Sequence, residues 1–205
     1  MYDSERYRID SAAVDAFVAG QRHGTLIATP PGGHPQVSLL PFVKQGDQIE
    51  LHCVREDPTF AALVANPRCT FLVSDFLAFS PHDWVEPDDG GRATLHFRAV
   101  QFECEARTST DPDDVAAALA RLLAEYEPHG EYPPLRNDAF YGPRLGRLAV
   151  ASLTVVRAQA KFKVGPAGPV EVKRRVVEHL RERGEPNDAR AAAVIESYFP
   201  ETAAP

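Results

Sequence analysis

The chain has 205 residues, of which 44% are hydrophobic and 25% charged, the composition of a globular protein with a sizeable core. Lys and Arg number 22 against 29 Asp and Glu, a net charge of −7, which argues against a broad DNA-binding surface because such surfaces are normally basic. No apolar run approaches the roughly 20 residues that span a bilayer, and the charged N-terminus does not resemble a secretory signal. We therefore expect a cytoplasmic protein without a membrane segment.

The cysteines indicate neither a disulfide framework nor a metal site. Cys53, Cys69 and Cys104 are widely separated and form no C-x-x-C pair. The seven histidines form no cluster with metal-ligand spacing. We therefore expect each cysteine to fill an apolar position in a strand, and we expect no metal site.

The first part of the chain predicts one helix followed by strands. Ser11 is suited to cap a helix that ends between residues 20 and 24. Pro58 is suited to the first turn of a second helix. Strands are expected over residues 25–29, 36–44, 48–54 and 68–73.

Residues 93–106 alternate between apolar and polar in two opposite phases. The apolar residues are Leu95, Phe97 and Ala99 in the first phase and Val100, Phe102, Cys104 and Ala106 in the second. A strand cannot change its buried face without an inserted residue, so this pattern predicts a β-bulge or bend near Ala99–Val100. A bend of this kind lets a sheet curl into a barrel.

The rest of the chain predicts helices around one more long strand. Thr110 or Asp111 is placed to cap a helix that reaches about Glu127. A long ordered loop over 128–147 and a strand over 148–164 follow, and two helices over about 170–183 and 188–199 close the chain. The helix over 170–183 is basic and superficially resembles a helix-turn-helix DNA reader, but its glutamates and apolar stripe favour an ordinary amphipathic helix.

These elements predict an α+β protein built on a small split β-barrel, with flanking helices and a C-terminal helix pair. We expect a single domain over 1–205. The barrel is expected over about 22–165 and the C-terminal helical extension over about 168–200.

One arginine lies in a setting that suits a phosphate. Arg55 follows a strand and precedes the helix at Pro58, where its guanidinium and the helix N-terminus could both donate to an anion. The alternative is a surface ion pair with Glu56 or Asp57. The sequence alone leaves both open.

No nucleophile elbow, P-loop or G-x-G-x-x-G motif is present, and no residue is an obvious general acid or base. His52, His82 and His96 are the only candidates. Trp84, the one tryptophan, either stacks on a planar ligand or packs against other apolar side chains.

Four segments, the first of which is Val37-Ser-Leu-Leu-Pro-Phe-Val, resemble the PaiB family of FMN-binding negative transcriptional regulators. His52-Cys-Val-Arg-Glu-Asp-Pro-Thr-Phe is similar to that family's H-x-x-R-x-N-P-x-W, and Ala78-Phe-Ser-Pro-His-Asp-Trp is similar to its A-Y-I-S-P-x-W. The strongest match is C-terminal, where Ala160-Lys-Phe-Lys-Val precedes two helices joined by Gly-Glu-Pro-Asn. More broadly, residues 46–72 are similar to the pyridoxamine-5′-phosphate-oxidase-like split barrels.

The resemblance implies a homodimeric split barrel with FMN at the dimer interface. The flavin contacts that it implies are Ser38, Leu40, His52, Cys53, Val54 and Arg55, with Lys161 and Lys163 adding positive charge near the site. Arg55 would hold the phosphate. The chain departs from the family pattern at Leu39, Asp57, Phe60 and Leu95, where the family has His, Asn, Trp and Trp.

The resemblance implies a negative transcriptional regulator or a small-molecule flavin-dependent oxidoreductase. Because a flavin supplies the hydride chemistry itself, an enzyme of this kind needs no catalytic triad. The alternative is a flavin-free dimeric binding or regulatory module that keeps the fold and lacks the cofactor. Direct DNA binding ranks below both because of the net charge of −7.

Overall fold

The structure is a computed structural model that describes residues 9–199. The helices are α1 (Ser11–Ala19), α2 (Pro58–Ala65), α3 (Pro112–Tyr126), α4 (Gly142–Leu145), α5 (Val170–Arg183) and α6 (Asp188–Glu196). The strands are β1 (Gly24–Ala28), β2 (Gln36–Leu40), β3 (Val43–Gln45), β4 (Gln48–Val54), β5 (Arg68–Ser80), β6 (Thr94–Ser109) and β7 (Leu148–Lys163). The α+β class is confirmed.

Local sequence signals explain where the main helices begin and end. Asp57 and Asp111 cap α2 and α3, and each carboxylate accepts a backbone N–H from two residues further on. Each helix then starts with proline, which needs no hydrogen-bond partner at that position. Helix α5 ends at Gly184, whose φ of 68° is the left-handed conformation that glycine adopts without strain.

The seven strands form one antiparallel sheet in the order β2-β1-β5-β6-β7-β4-β3. Strands β2 and β3 are its two edges, although only Pro41 and Phe42 separate them in the chain. Within residues 9–199, β2 pairs with β1 alone and β3 with β4 alone, so the predicted barrel is not closed by hydrogen bonds.

The described chain divides into two compact units. The strand unit comprises Ser11–Val73 and Val100–Gln159, and the helix-pair unit comprises residues 9–10, Ser74–Ala99 and residues 160–199. The C-terminal helices thus share a unit with parts of β5, β6 and β7.

The helix-pair unit has its own apolar core. It consists of the buried residues Leu77, Ala78, Val85, Val176, Val177, Leu180, Ala191, Ala192 and Ile195. The apolar stripe of α5 is therefore buried, as an amphipathic helix requires. None of the helices within residues 9–199 has the length and apolar character needed to cross a membrane.

Strand β6 changes its buried face where the sequence predicts it. Ala99 and Val100 are consecutive and both buried, and the boundary between the two units falls between them. The predicted stripe before this point is wrong, however, because His96 is fully buried while Leu95 is 43% exposed. The hydroxyl of Ser80 provides the polar partner that permits this burial, 2.9 Å from His96 Nε2.

Candidate functional site

The candidate site lies in the strand unit, along two strand edges that lack strand partners. Strand β3 pairs with β4 only over Gln48–Glu50, so Leu51–Val54 has one edge without a strand neighbour within the described chain. Edge strand β2 is likewise unpaired on one side and lies against β4. We call these two edges the β2–β4 split. They present backbone N–H and C=O groups to a ligand.

Apolar packing brings the two strands of the split together near the end of each strand. Leu40 of β2 packs against a buried cluster formed by Cys53, Phe60 and Ala149. Alternation along β4 places Cys53 in this cluster, whereas His52 is half-buried and Val54 is 50% exposed. The structure therefore brings Leu40 and Cys53 together, with the Cys53 side chain buried in this cluster.

Burial sets the protonation of the two titratable side chains on this part of β4. Loss of hydration lowers the pKa of His52, so its imidazole is neutral near pH 7. Burial, reinforced by the negative charge of Asp57, raises the pKa of Cys53 to about 12. Cys53 is therefore a neutral thiol and not a nucleophile at neutral pH.

The N-terminus of α2 is already occupied by a carboxylate from the chain itself. Asp57 Oδ1 accepts the Thr59 N–H at 2.7 Å. The Ser38 hydroxyl lies 3.0 Å from Asp57 Oδ2 and 2.7 Å from Thr59 Oγ1. Ser38, predicted as a flavin contact, is thus part of the helix cap.

Arg55 is held by backbone carbonyl groups. Its Nε donates to the Leu148 carbonyl at 3.0 Å, and one Nη donates to the carbonyl of Thr110. Among the described residues, neither Glu56 nor Asp57 forms an ion pair with it, so the alternative of a surface ion pair has no support in the structure. A guanidinium carries five N–H groups, so this fixed side chain retains three donors.

Lys161 and Lys163 belong to the helix-pair unit, so the predicted residues are divided between the two units. The Lys161 ammonium lies 6.0 Å from the centre of the Phe97 ring. Lys163 lines a cavity of about 200 Å³ together with Arg92 and Thr94.

The aromatic and histidine candidates also lie in the helix-pair unit. Trp84 stacks on His179 with ring centres 5.1 Å apart, and the Arg183 guanidinium lies 4.9 Å from the centre of the indole. These contacts support the packing interpretation of Trp84. His82 is half-buried at the start of a short 3₁₀ helix.

Sequence reasoning missed two features of the strand unit. One is a cavity of about 610 Å³ beside α1, β3 and the end of α3, lined in part by Arg22, Lys44 and Tyr126. The other is the contact between Cys69 and Cys104, which depends on strand register. No spacing in the sequence signals either feature.

Comparison with known proteins gives the family. A model described as "Putative FMN-binding domain" matches residues 1–162, and the chain belongs to this family. Family membership supports FMN as the cofactor. A search of curated proteins found no significant match.

Solved structures support the same fold. The flavocytochrome Anf3 from Azotobacter vinelandii is 22% identical with a TM-score of 0.63, over 82% of this chain and 79% of that one. The FAD and heme binding protein from Mycobacterium smegmatis is 16% identical with a TM-score of 0.63, over 82% of this chain and 78% of that one. At these identities the likeness concerns the fold alone.

The residues present fit FMN through the strand edges and Arg55. The unpaired edges of β2 and β4 offer the alternating donors and acceptors that a flavin ring can use, and Arg55 retains donors for a phosphate. The N-terminus of α2 does not fit a phosphate, because Asp57 holds the Thr59 N–H and adds a negative charge there. Of the two phosphate donors suggested by the sequence, Arg55 therefore remains a candidate and the N-terminus of α2 does not.

Proposed function

We propose that this protein binds FMN in the β2–β4 split, with the phosphate on Arg55, and acts as a small-molecule oxidoreductase. The observation that carries the proposal is the pair of unpaired strand edges beside an arginine fixed by two backbone carbonyls. A guanidinium held in place loses little conformational freedom when it binds a ligand.

When bound, FMN supplies hydride transfer. The chain supplies position and surroundings. His52 is neutral and half-buried, so it can donate or accept a hydrogen bond without adding a charge to the split. Cys53 and Phe60 make the floor of the split apolar, which keeps water from one side of it.

We further propose that the site is completed by a second copy of the chain. Val37 and Leu39 of β2 are 61% and 66% exposed, and Val54 and Val64 are also at least half exposed. All four belong to strands or helices that border the split. Exposed apolar residues grouped in this way are typical of protein–protein contact surfaces.

The FMN proposal is tested by titrating FMN and riboflavin separately into wild type, Arg55→Ala and Arg107→Ala while following flavin fluorescence. Riboflavin lacks the phosphate, and Arg107 is an exposed arginine of the same unit. Loss of a charge-assisted contact of about 1.5–3 kcal/mol predicts roughly 10- to 150-fold weaker FMN binding in Arg55→Ala. Riboflavin affinity and the Arg107→Ala protein should match wild type.

Equal losses of FMN and riboflavin affinity in Arg55→Ala would indicate that Arg55 only supports the fold, which would contradict its role on the phosphate. The redox role is tested by anaerobic mixing of FMN-loaded protein with NADH or NADPH. Bleaching of the flavin, followed by recovery on adding a small electron acceptor, would support an oxidoreductase. Binding without bleaching by any donor would favour the regulatory role that the resemblance implies.

One observation favours the flavin-free alternative. The Asp57 carboxylate takes the helix N-terminus and Ser38, the groups best suited to an anion besides Arg55. Under this alternative neither FMN nor riboflavin binds, and the dimer persists without them. The oligomeric state of wild type and Leu39→Asp, measured by sedimentation, tests the contact surface independently of the flavin.

Direct DNA binding through α5 has less support. Arg181 and Arg183 of this helix form ion pairs with Glu196 and Asp188, and Arg175 donates to the Val85 carbonyl. These side chains already have partners within the helix-pair unit. A regulatory role, if present, would therefore act through a ligand or a protein partner.

A further inference from the structure

Two of the three cysteines lie side by side in the strand unit, away from the β2–β4 split. Cys69 is on β5 and Cys104 on β6, which are neighbours in the sheet. The Ala106 N–H donates to the Pro67 carbonyl at 2.8 Å. In an antiparallel pair a bond of this kind joins residues that lie opposite each other, so Pro67 lies opposite Ala106. Two residues further along β5 is Cys69, and two residues back along β6 is Cys104, so these two residues also lie opposite each other.

This register is compatible with a disulfide. Opposite residues of a hydrogen-bonded antiparallel pair have Cα atoms about 5.5 Å apart, and disulfides occur when Cα atoms are roughly 4.4–6.8 Å apart. Side chains of opposite residues also point to the same face of the sheet. Both cysteines are reduced in the structure.

The two thiols are not equivalent. The contact between the two thiols lowers the pKa of Cys104 and raises that of Cys69, which burial raises further. Cys104 is thus the better source of a thiolate, which is the reactive form. Cys53 has no second thiol in its cluster, whose other members are the hydrocarbon side chains of Phe60, Ala149 and Leu40.

A groove gives small molecules access to the pair. Cys69 and Cys104 both line a cavity of about 440 Å³, and its rim includes Glu103 and Glu105. The lining carries charges of both signs because it also includes Arg68, so charge does not select the oxidant and a cavity of this size favours a small one such as peroxide. The cysteines themselves are only 8% and 4% exposed, which also favours a small reagent.

We propose that Cys69 and Cys104 form a redox-active dithiol that hydrogen peroxide converts to a cross-strand disulfide. The Cys104 thiolate attacks one peroxide oxygen, the O–O bond breaks, and hydroxide leaves with a sulfenic acid on Cys104. The Cys69 sulfur then attacks the Cys104 sulfur and releases the sulfenic oxygen, which takes up the Cys69 proton as it leaves as water. The hydroxide takes up the proton that Cys104 released on ionising, so overall the two thiols lose two electrons and one peroxide becomes two waters.

The test treats the folded protein with hydrogen peroxide, then alkylates and maps it by mass spectrometry. Wild type should lose two of its three free thiols and the mass of two hydrogen atoms, with one crosslink between the Cys69 and Cys104 peptides that dithiothreitol reverses. Cys53→Ser, the matched control, should form the same crosslink. Cys69→Ser should stop at a sulfenic acid on Cys104 that dimedone traps.

Three results would overturn the proposal. They are a crosslink that includes Cys53, a crosslink between two chains, and oxidation that occurs only after unfolding. Faster disulfide formation with glutathione disulfide than with peroxide would overturn the assignment of the oxidant. Because conservative serine variants are compared by thermal unfolding before treatment, a folding defect is recognised and does not count as loss of reactivity.

Discussion

Asp57 both caps α2 with a hydrogen bond and adds a negative charge to the candidate site, and two substitutions of this residue separate these effects. In Asp57→Asn the side-chain oxygen can still accept the Thr59 N–H, since Asn and Asp are about equally good N-caps. The variant should lose only the attraction between the Asp57 charge and the dipole of α2, which stabilises the fold by about 0.3–1 kcal/mol. Asp57→Ala also loses the cap and its contact with Ser38, so we expect a loss of about 1–3 kcal/mol.

Urea unfolding measures both free energies, and the m-values should not change because the surface exposed on unfolding is the same. A second readout is the thiol of Cys53. Removing the Asp57 charge should lower the pKa of Cys53 from about 12, although burial, the larger cause, keeps it above that of a free thiol. If the two Asp57 variants are equally destabilised, the assignment of Oδ1 as the cap is wrong.

The same variants test the electrostatics of the proposed phosphate position. Two like charges a few Å apart repel by about 1 kcal/mol even in water, which corresponds to roughly fivefold in Kd. FMN should therefore bind more tightly to Asp57→Asn than to wild type, while riboflavin binding stays the same. Unchanged FMN affinity, together with weaker binding in Arg55→Ala, would show that the Asp57 charge does not act on the phosphate.

Two further predictions concern the helix-pair unit. Burial, and then the charge of Lys163, lower the pKa of His96 to about 4 from its ordinary 6.5. Between pH 4 and 6.5 the unfolded chain therefore binds a proton at His96 that the folded protein does not bind. The free energy of unfolding should be highest above pH 6.5 and fall by about 3 kcal/mol towards pH 4. Urea titrations at several pH values should show that His96→Gln removes this pH dependence. The buried Asp188 carboxylate accepts bonds of 2.8 and 2.6 Å from Arg183, which lower the pKa of Asp188. Asp188→Asn should cost about 3 kcal/mol at pH 7 by thermal or urea unfolding, and wild type should lose this contribution as pH falls below 3.8 towards the lowered pKa.

Local and periodic signals predicted helix starts and the change of buried face in β6 because they act within one element. Neighbouring residues and alternation along one strand determine the helix start at Pro58, the cap at Asp111 and the change of phase at Ala99–Val100. The same reasoning was wrong for His96, because its polarity and its place in the alternation predicted an exposed side chain. Its burial depends on Ser80, sixteen residues away, which sequence periodicity does not detect.

The sequence and the resemblance named candidate site residues but not the groups that those residues contact. The sequence placed Arg55 at a strand end, and the resemblance added a phosphate, but neither indicated that Leu148 and Thr110 would hold the guanidinium. The contact between Cys69 and Cys104 escaped for the same reason. Each depends on which strand lies beside which, and a strand register is a property of the sheet rather than of either segment.

The β2–β4 split explains why the proposed flavin and the proposed second copy belong together. Edge strands in natural proteins are usually protected by charge, proline or a covering element. Strand β2 has neither charge nor proline, and its Val37 and Leu39 are largely exposed. A flavin can satisfy backbone groups along the split but leaves those two side chains in water, whereas a partner surface covers the side chains and leaves the backbone groups unpaired. The two ligands thus contact different groups of the same strand, so binding of one does not exclude binding of the other.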